Sequence, residues 1–187
     1  MAYVVDEAAP HLGGNFGEGD PLSFCPTGWR YIIDRFAISS VLDLGSGSGH
    51  AADWFHRQGL KTLAVDGLLT NVRSSVYPSL MVDLTKDRVT TNVDLVHCQE
   101  VVEHIEEQFL DNLLASLACG RVVVMTHALP GQEGHHHVNC QPVEYWVAHL
   151  DRVGYKLMLE DSNRLRAAAG KDGAVYMVQS GRVFHRK

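Results

Sequence analysis

The chain has 187 residues, 45% hydrophobic and 20% charged, a balance typical of one globular domain with its own core. Its formal net charge of −6 gives no overall attraction to nucleic acid, although a local basic patch is compatible with it. No apolar run approaches the roughly 20 residues that cross a bilayer, and the N-terminus lacks a signal-peptide pattern. We therefore expect a cytoplasmic, single-domain protein over residues 1–187 with no membrane partner.

The order of the predicted elements indicates the fold class. Residues 1–28 are rich in Gly, Pro and acidic residues, so we expect an irregular N-terminal arm that could fold over a site. Apolar periodicity then predicts helices at 29–36, 50–58, 107–118 and 143–153, strands at 41–44, 61–66, 80–83, 93–97, 121–126 and 155–159, and a strand pair or extended tail at 174–184. Repeated β–α units predict a Rossmann-like, three-layer α/β/α sandwich with a mostly parallel sheet of about seven strands.

Ligands bind such sheets at the carboxyl ends of the strands, so the residues after each strand are the candidates for function. The first strand runs into the glycine-rich turn 45–49, where the backbone can approach a ligand closely because no Cβ intervenes. The turn departs from the dinucleotide fingerprint G-x-G-x-x-G, since His50 takes the place of its third glycine. It also lacks the Lys of a phosphate-binding P-loop.

Three aspartates stand at the ends of three successive strands. Asp43 is a poor neighbour for a pyrophosphate and a good one for a cationic amino-acid group. Asp66 could accept hydrogen bonds from both ribose hydroxyls, and Asp83 is placed to contact an adenine amino group. Any one of them could be a turn former, but the series favours S-adenosyl-L-methionine over a nicotinamide nucleotide. The predicted cofactor-binding residues are Asp43, Gly45, Ser46, Gly47, Gly49, Asp66, Gly67, Asp83, Leu84 and Gln99.

Segment 43–49 resembles the D-x-G-x-G-x-G motif of class I S-adenosylmethionine-dependent methyltransferases, and Asp66 and Asp83 match that family's second and third acidic positions. Nearly the whole chain is similar to a group of bacterial and phage methyltransferase-domain proteins. That group carries the motifs GG-x-x-x-x-GDP, E-x-x-EH and PGQ-x-GHHHVN, which are found here at 13–21, 100–104 and 130–139. The resemblance implies S-adenosylmethionine-dependent methyl transfer and leaves the acceptor open.

The fourth strand is followed by Glu100, Glu103 and His104, which a helical turn beginning near Glu100 would place on one face. Two chemistries are compatible with this set. His104, with Glu100 beside it, could act as a general base on an acceptor hydroxyl. Alternatively, all three could hold a divalent cation, completed by a histidine of the 135–137 loop, of which we select His136. Mixed oxygen and imidazole ligands suit Mn²⁺ better than Ca²⁺.

The E-x-x-E-H motif with downstream histidines also resembles the metal-dependent 2′-O-methyltransferases that modify the 3′ ends of small RNAs. That resemblance implies Mg²⁺ or Mn²⁺ held by Glu100, Glu103, His104 and one later histidine. The same stretch occurs in small-molecule methyltransferases that need no metal, where the first Glu orients the loop and the His faces the acceptor. The macrodipole also favours Glu at a helix start, so the metal stays an open prediction.

Several other side chains have a structural and a functional interpretation. His127 directly follows the fifth strand and is a weaker candidate for the same pocket. Tyr145 and Trp146 could stack on a planar acceptor, although aromatic residues at helical spacing more often lie in the core. The four scattered cysteines include no C-x-x-C pair, which argues against a zinc knuckle and a disulfide framework.

The predicted reaction is O-methylation of a small hydroxylated molecule or sugar, with or without a metal. A metal-dependent RNA ribose 2′-O-methyltransferase is the alternative, which the net charge and the lack of a recognisable RNA-binding domain disfavour. A non-catalytic S-adenosylmethionine-binding protein is a further alternative, against which the intact Glu100, Glu103 and His104 set argues. N-methylation lacks the Asn/Asp-Pro-Pro-Tyr/Phe motif after the fourth strand.

Overall fold

A central sheet of seven strands organises residues 3–187, which the computed structural model describes. The seven strands are β3 (Ser40–Leu44), β4 (Lys61–Asp66), β5 (Ser79–Met81), β6 (Val93–Cys98), β7 (Gly120–Met125), β8 (Tyr155–Leu157) and β9 (Arg182–Arg186), and a separate two-stranded sheet contains β1 (Tyr3–Val5) and β2 (Gly13–Phe16). The helices are α1 (Pro26–Phe36), α2 (His50–Arg57), α3 (Leu69–Ser74), α4 (Leu110–Leu117), α5 (Val143–Arg152), α6 (Leu159–Ala169) and α7 (Val175–Ser180). Short 3₁₀ turns lie at Val102–His104 and Glu107–Phe109.

The strand order in the sheet is β5-β4-β3-β6-β7-β9-β8. The pairs from β5 to β7 are parallel, and β9 runs antiparallel to both β7 and β8. The chain moves outward from β3 to β5 and then returns to the other side of β3, so the order reverses between β3 and β6. A crevice opens at such a reversal. The arrangement confirms the predicted Rossmann-like α/β fold with a mostly parallel, seven-stranded sheet.

Alternation along the central strands builds a core on each face of the sheet. Val123 packs in the cluster that contains the buried residues of α4 and α5, whereas its neighbours Val122 and Val124 pack with those of α1 and α6. Successive side chains of a strand point to opposite faces, so a continuously apolar strand such as β7 is covered on both sides. Trp146 of α5 is fully buried in the first cluster, which supports its interpretation as a core residue.

Four segments differ from the prediction. Two of them, α3 and α6, are helices that the sequence did not predict. The N-terminal arm contains an antiparallel hairpin of β1 and β2 in place of a wholly irregular segment. The predicted strand pair at 174–184 is the helix α7 followed by the single strand β9. The apolar run from Val175 to Val178 fits either structure, and packing favours the helix, because the buried residues Ala174, Met177 and Ser180 recur every three positions. None of the helices described is long and apolar enough to cross a membrane.

Candidate active site

The glycine loop after β3 lies at the crevice and is fixed by the next strand. Gly45 and Ser46 both donate backbone hydrogen bonds to the Val65 carbonyl, each at 2.9 Å. Gly45 has a φ of +74°, and a Cβ there would lie 2.3 Å from Val101 Cγ2, so only glycine fits. Gly49 caps α2 and packs against Ser75. It does not line the cavity, although the sequence predicted that it contacts the cofactor.

The Asp66 carboxylate joins this loop to the end of β4. It accepts hydrogen bonds from the backbone of Gly47 at 2.8 Å and Leu68 at 2.9 Å, and from Asn71 Nδ2 at 3.0 Å. Burial raises the pKa of Asp66, while these donors oppose the rise. Because each carboxylate oxygen can accept more than one hydrogen bond, Asp66 on the cavity wall could still hold a ribose diol.

Asp43 also lines the cavity and is only 3% exposed. Its Oδ1 is 2.7 Å from His97 Nδ1, and its Oδ2 has no hydrogen-bond partner in the described part of the chain. A buried carboxylate oxygen without a partner is costly unless a ligand supplies a donor. Asp43 could therefore hold the cationic amino group of the predicted cofactor.

Asp83 does not line the main cavity in this structure. It follows the end of β5 by two residues and stands outside the wall of the main cavity, to which Leu84 contributes instead. Its carboxylate contacts His11 Nε2 at 3.2 Å, Thr85 Oγ1 at 2.7 Å and Lys86 Nζ at 2.9 Å. Burial alone would raise the pKa of Asp83, but these partners lower it to about 2. Asp83 thus holds the N-terminal arm in this structure, and its contact with the adenine stays a prediction.

The N-terminal arm forms one wall of a cavity of about 290 Å³ that extends from the glycine loop to the E-x-x-E-H segment. Gln99 lines the cavity and donates from Nε2 to the Ser23 carbonyl at 2.9 Å, which ties the arm to the end of β6. Leu12 of the arm lies against Gly67, where a Cβ would come within 2.5 Å of Leu12 Cδ2. The predicted cofactor residues Gly67 and Gln99 are thus brought to the cavity beneath the arm.

Glu100 precedes the 3₁₀ turn and is not part of the single helical face that the sequence predicted. Its φ of +55° places it in the left-handed region. Thr126, at the end of β7, accepts from the Glu100 backbone at 2.8 Å and donates to its Oε1 at 2.7 Å. Two neighbouring strands therefore fix the Glu100 carboxylate on the cavity wall.

Glu103 and His104 follow within the 3₁₀ turn, and the histidine loop lies against them. Glu103 is fully buried, and within residues 3–187 neither of its carboxylate oxygens meets an N–H or hydroxyl donor; its polar neighbour is the Glu100 carboxyl, with which a protonated Glu103 can share a hydrogen bond. Burial, and next the charge of Glu100, raise its pKa well above the usual range. Glu103, His104 and His137 each offer a ligand atom, and these atoms lie within 4.8 Å of one another.

The structure brings His137 to this group in place of the selected His136. The Glu103 carbonyl accepts hydrogen bonds from the backbones of Val138 and Asn139, both at 3.0 Å, and so fixes the loop. His137 then faces His104, whereas His136, with a φ of +47°, has its ring 6.4 Å from that of His11. Burial, followed by the neighbouring histidines, lowers the pKa of His104 to about 4, so its imidazole is neutral near pH 7.

Sequence reasoning missed several residues of the cavity wall. Tyr176 of α7 donates from Oη to Asp20 Oδ2 at 3.1 Å, and burial followed by Asp20 raises its pKa to about 12. Tyr3 and Phe16 stack within the hairpin with ring centroids 4.9 Å apart. No local pattern marks these positions, because tertiary packing alone brings α7 and the arm together. His127 is buried but lies outside the cavity wall.

Comparisons with known proteins agree with this architecture. A sequence profile described as "Methyltransferase domain" matches residues 22–164, and no curated protein matches the sequence significantly. A TehB-like S-adenosylmethionine-dependent methyltransferase from Corynebacterium glutamicum is similar in structure, with 20% identity, a TM-score of 0.61, and coverage of 86% of this chain and 88% of that one.

Two further solved structures resemble the fold. The methyltransferase domain of bacterial CtHen1-C has 15% identity, a TM-score of 0.61, and coverage of 88% of this chain and 98% of that one. Magnesium protoporphyrin IX methyltransferase from Synechocystis PCC 6803, solved with bound S-adenosylmethionine, has 14% identity, a TM-score of 0.59, and coverage of 86% and 76%. The chain belongs to the methyltransferase domain family, and its fold is the one that solved S-adenosylmethionine-dependent methyltransferases share.

Proposed function

We propose that this enzyme methylates a hydroxyl of a small molecule or sugar, assisted by a divalent cation that Glu103, His104 and His137 would hold. The observation that carries the proposal is the Glu103 carboxyl group, which is fully buried beside two imidazoles and has only the Glu100 carboxyl as a hydrogen-bonding neighbour among the described residues. Ionising a buried carboxyl beside another one costs on the order of several kcal/mol, which is why the pKa of Glu103 is raised, and a bound cation would offset that cost. Carboxylate and imidazole ligands together fit Mn²⁺, and Mg²⁺ is the second candidate.

Transfer to oxygen forms an O–CH₃ bond while the S–CH₃ bond of the sulfonium breaks, and the acceptor hydroxyl would give its proton to Glu100 on the cavity wall or, without a metal, to His104. A divalent cation, when bound, would stabilise the negative charge that develops on the acceptor oxygen. Asp43 would hold the cofactor's amino group, and Thr126 keeps Glu100 in place at the acceptor end. His104 lines the cavity with a neutral imidazole, so it can serve as a ligand or, without a metal, accept the hydroxyl proton.

The wall of the cavity favours an acceptor without phosphate groups. No Lys or Arg stands among the described residues that line it, whereas five carboxylates do: Asp20, Asp43, Asp66, Glu100 and Glu133. Proteins bind RNA largely through Lys and Arg contacts to phosphates. The stacked rings of Tyr3 and Phe16 instead offer an apolar surface to a sugar or a planar acceptor. RNA ribose 2′-O-methylation stays a second candidate through the Glu103–His104–His137 group alone.

The test is methyl transfer from labelled S-adenosylmethionine to a panel of sugars, polyols and phenols, and to a short RNA with a free 3′ end. We expect O-methylation of a small acceptor, loss of activity after exhaustive chelation, and recovery with Mn²⁺ or Mg²⁺. Full activity after chelation, with unchanged thermal stability, would remove the cation and leave His104 as the base. Methylation of RNA alone would replace the small acceptor with the second candidate.

A further inference from the structure

A chain of three buried side chains lies directly behind the cofactor end of the cavity. Trp29 Nε1 is 3.1 Å from His97 Nε2, and His97 Nδ1 is 2.7 Å from Asp43 Oδ1. Their exposed fractions are only 2% for Trp29, 3% for His97 and 3% for Asp43. Asp43 and His97 stand opposite each other in the parallel pairing of β3 and β6, so the register brings their side chains together.

The hydrogen bond from Trp29 determines the tautomer of His97. The Trp29 indole nitrogen can only donate, so His97 Nε2 must accept and carries no proton. The proton of the neutral imidazole therefore resides on Nδ1, which donates to Asp43 Oδ1. Trp29 is itself held by aromatic neighbours, with its ring centroid 5.3 Å from that of Trp54 and 5.2 Å from that of Phe55.

We propose that Trp29 and His97 are positioning residues that fix Asp43 for the amino group of S-adenosylmethionine. One hydrogen bond from His97 fixes the rotation of the Asp43 carboxylate and supports its charge in a buried place. The other oxygen, Oδ2, is then left without a protein partner on the cavity wall, where a cationic amino group would complete it. This chain of Trp29, His97 and Asp43 concerns cofactor binding alone, so the proposal does not depend on the acceptor or on a metal.

Calorimetric binding of two ligands separates this role from a merely structural one. S-adenosylhomocysteine carries the amino group, whereas 5′-methylthioadenosine shares its adenosine and thioether but lacks the amino acid. We expect His97→Leu to weaken S-adenosylhomocysteine on the order of tenfold, as loss of a charge-assisted hydrogen bond does, and to leave methylthioadenosine nearly unchanged. Asp43→Asn should show the same selectivity, and His97→Asn, whose amide can replace the Nδ1 donor, should restore most of the affinity.

Two outcomes would overturn the proposal. One is a His97→Leu variant that binds S-adenosylhomocysteine as tightly as the wild type, and the other is equal weakening of both ligands, which indicates general damage to the site. If His97→Leu fails to fold, ¹⁵N NMR of the wild-type histidines gives an independent test. We expect His97 to show a protonated Nδ1 and an unprotonated Nε2 at neutral pH, and Trp29→Phe to release that preference. An Nε2–H tautomer or an imidazolium of His97 in the wild type would contradict the proposed hydrogen-bond chain.

Discussion

His137 lies edge-on to His104, with ring centroids 5.2 Å apart and ring planes at 79°. The preceding residue, His136, has its ring 6.4 Å from that of His11 and lies outside the Glu103–His104–His137 group. Adjacent residues of one loop thus form a matched pair of test positions. We predict that His137→Ala abolishes Mn²⁺ binding measured by calorimetry, whereas His136→Ala leaves it within about twofold, a difference below 0.5 kcal/mol. Loss of Mn²⁺ binding in His136→Ala but not in His137→Ala would identify His136 as the histidine that coordinates the metal.

Glu103 should make the metal-free protein sensitive to pH. Its pKa is raised in the folded state, so it costs no stability below its unfolded pKa of about 4.3 and destabilises the fold increasingly as pH rises above that value. We therefore expect metal-free Glu103→Gln to melt above the wild type at pH 7 and near it at pH 3. Each unit of raised pKa corresponds to about 1.4 kcal/mol. A change of 1 kcal/mol shifts the melting temperature of a domain this long by roughly 2–4 °C.

Adding Mn²⁺ should reverse that order, because a ligand that binds only the folded state stabilises it by mass action. The wild type would gain stability and Glu103→Gln would not. Glu107→Gln is the control, since Glu107 is exposed in the same segment and the Gln carbonyl oxygen can still accept the hydrogen bond from Tyr145 Oη, so this variant should melt close to the wild type at pH 7. A wild type that is as stable as Glu103→Gln at pH 7 without metal, and that does not respond to Mn²⁺, would contradict the cation site.

His104 should titrate in acid and not near neutrality. Burial and then the adjacent histidines lower its pKa to about 4, so the folded state resists protonation and loses stability as pH falls from about 6.5 toward 4. An NMR titration of the metal-free protein should place the midpoint of His104 near 4. In His137→Ala the midpoint should rise, because the charge of His137 is one of the causes of the shift. A midpoint of about 6.5 would show that His104 is more exposed than its contacts imply.

The centre of the sheet could be predicted from the sequence because its signals are local. Apolar strands, the glycine turn after β3 and the aspartates at strand ends each occupy a few consecutive residues. The place of the arm depends on contacts between distant residues, such as His11 with Asp83, which no local pattern in the sequence indicates. The sequence could not show whether His136 or His137 lies beside Glu103 and His104 either. That placement depends on two backbone hydrogen bonds from the histidine loop to the Glu103 carbonyl.

The two aspartates predicted to bind the cofactor's adenosine now differ in their surroundings. Asp66 lines the cavity, whereas Asp83 is engaged by His11, Thr85 and Lys86 outside its wall. We predict that Asp66→Ala weakens S-adenosylmethionine by roughly 1–3 kcal/mol, the cost of losing hydrogen bonds to a charged group. Asp83→Ala should cost less than about 0.5 kcal/mol in cofactor affinity, as expected for a residue away from the ligand.

Calorimetry with S-adenosylmethionine, its demethylated product and NAD measures these differences in one experiment. The wild type should bind the first two at micromolar strength, a binding free energy of about −8 kcal/mol, and should give no heat with NAD. Because Asp66 also anchors the backbone of Gly47, Asp66→Asn provides the second variant, which retains the side-chain size and one acceptor oxygen. It should lose less affinity than Asp66→Ala. If Asp83→Ala and Asp66→Ala lose equal affinity for S-adenosylmethionine, Asp83 contacts the adenine after all. Tight binding of NAD would overturn the assignment of S-adenosylmethionine as the cofactor.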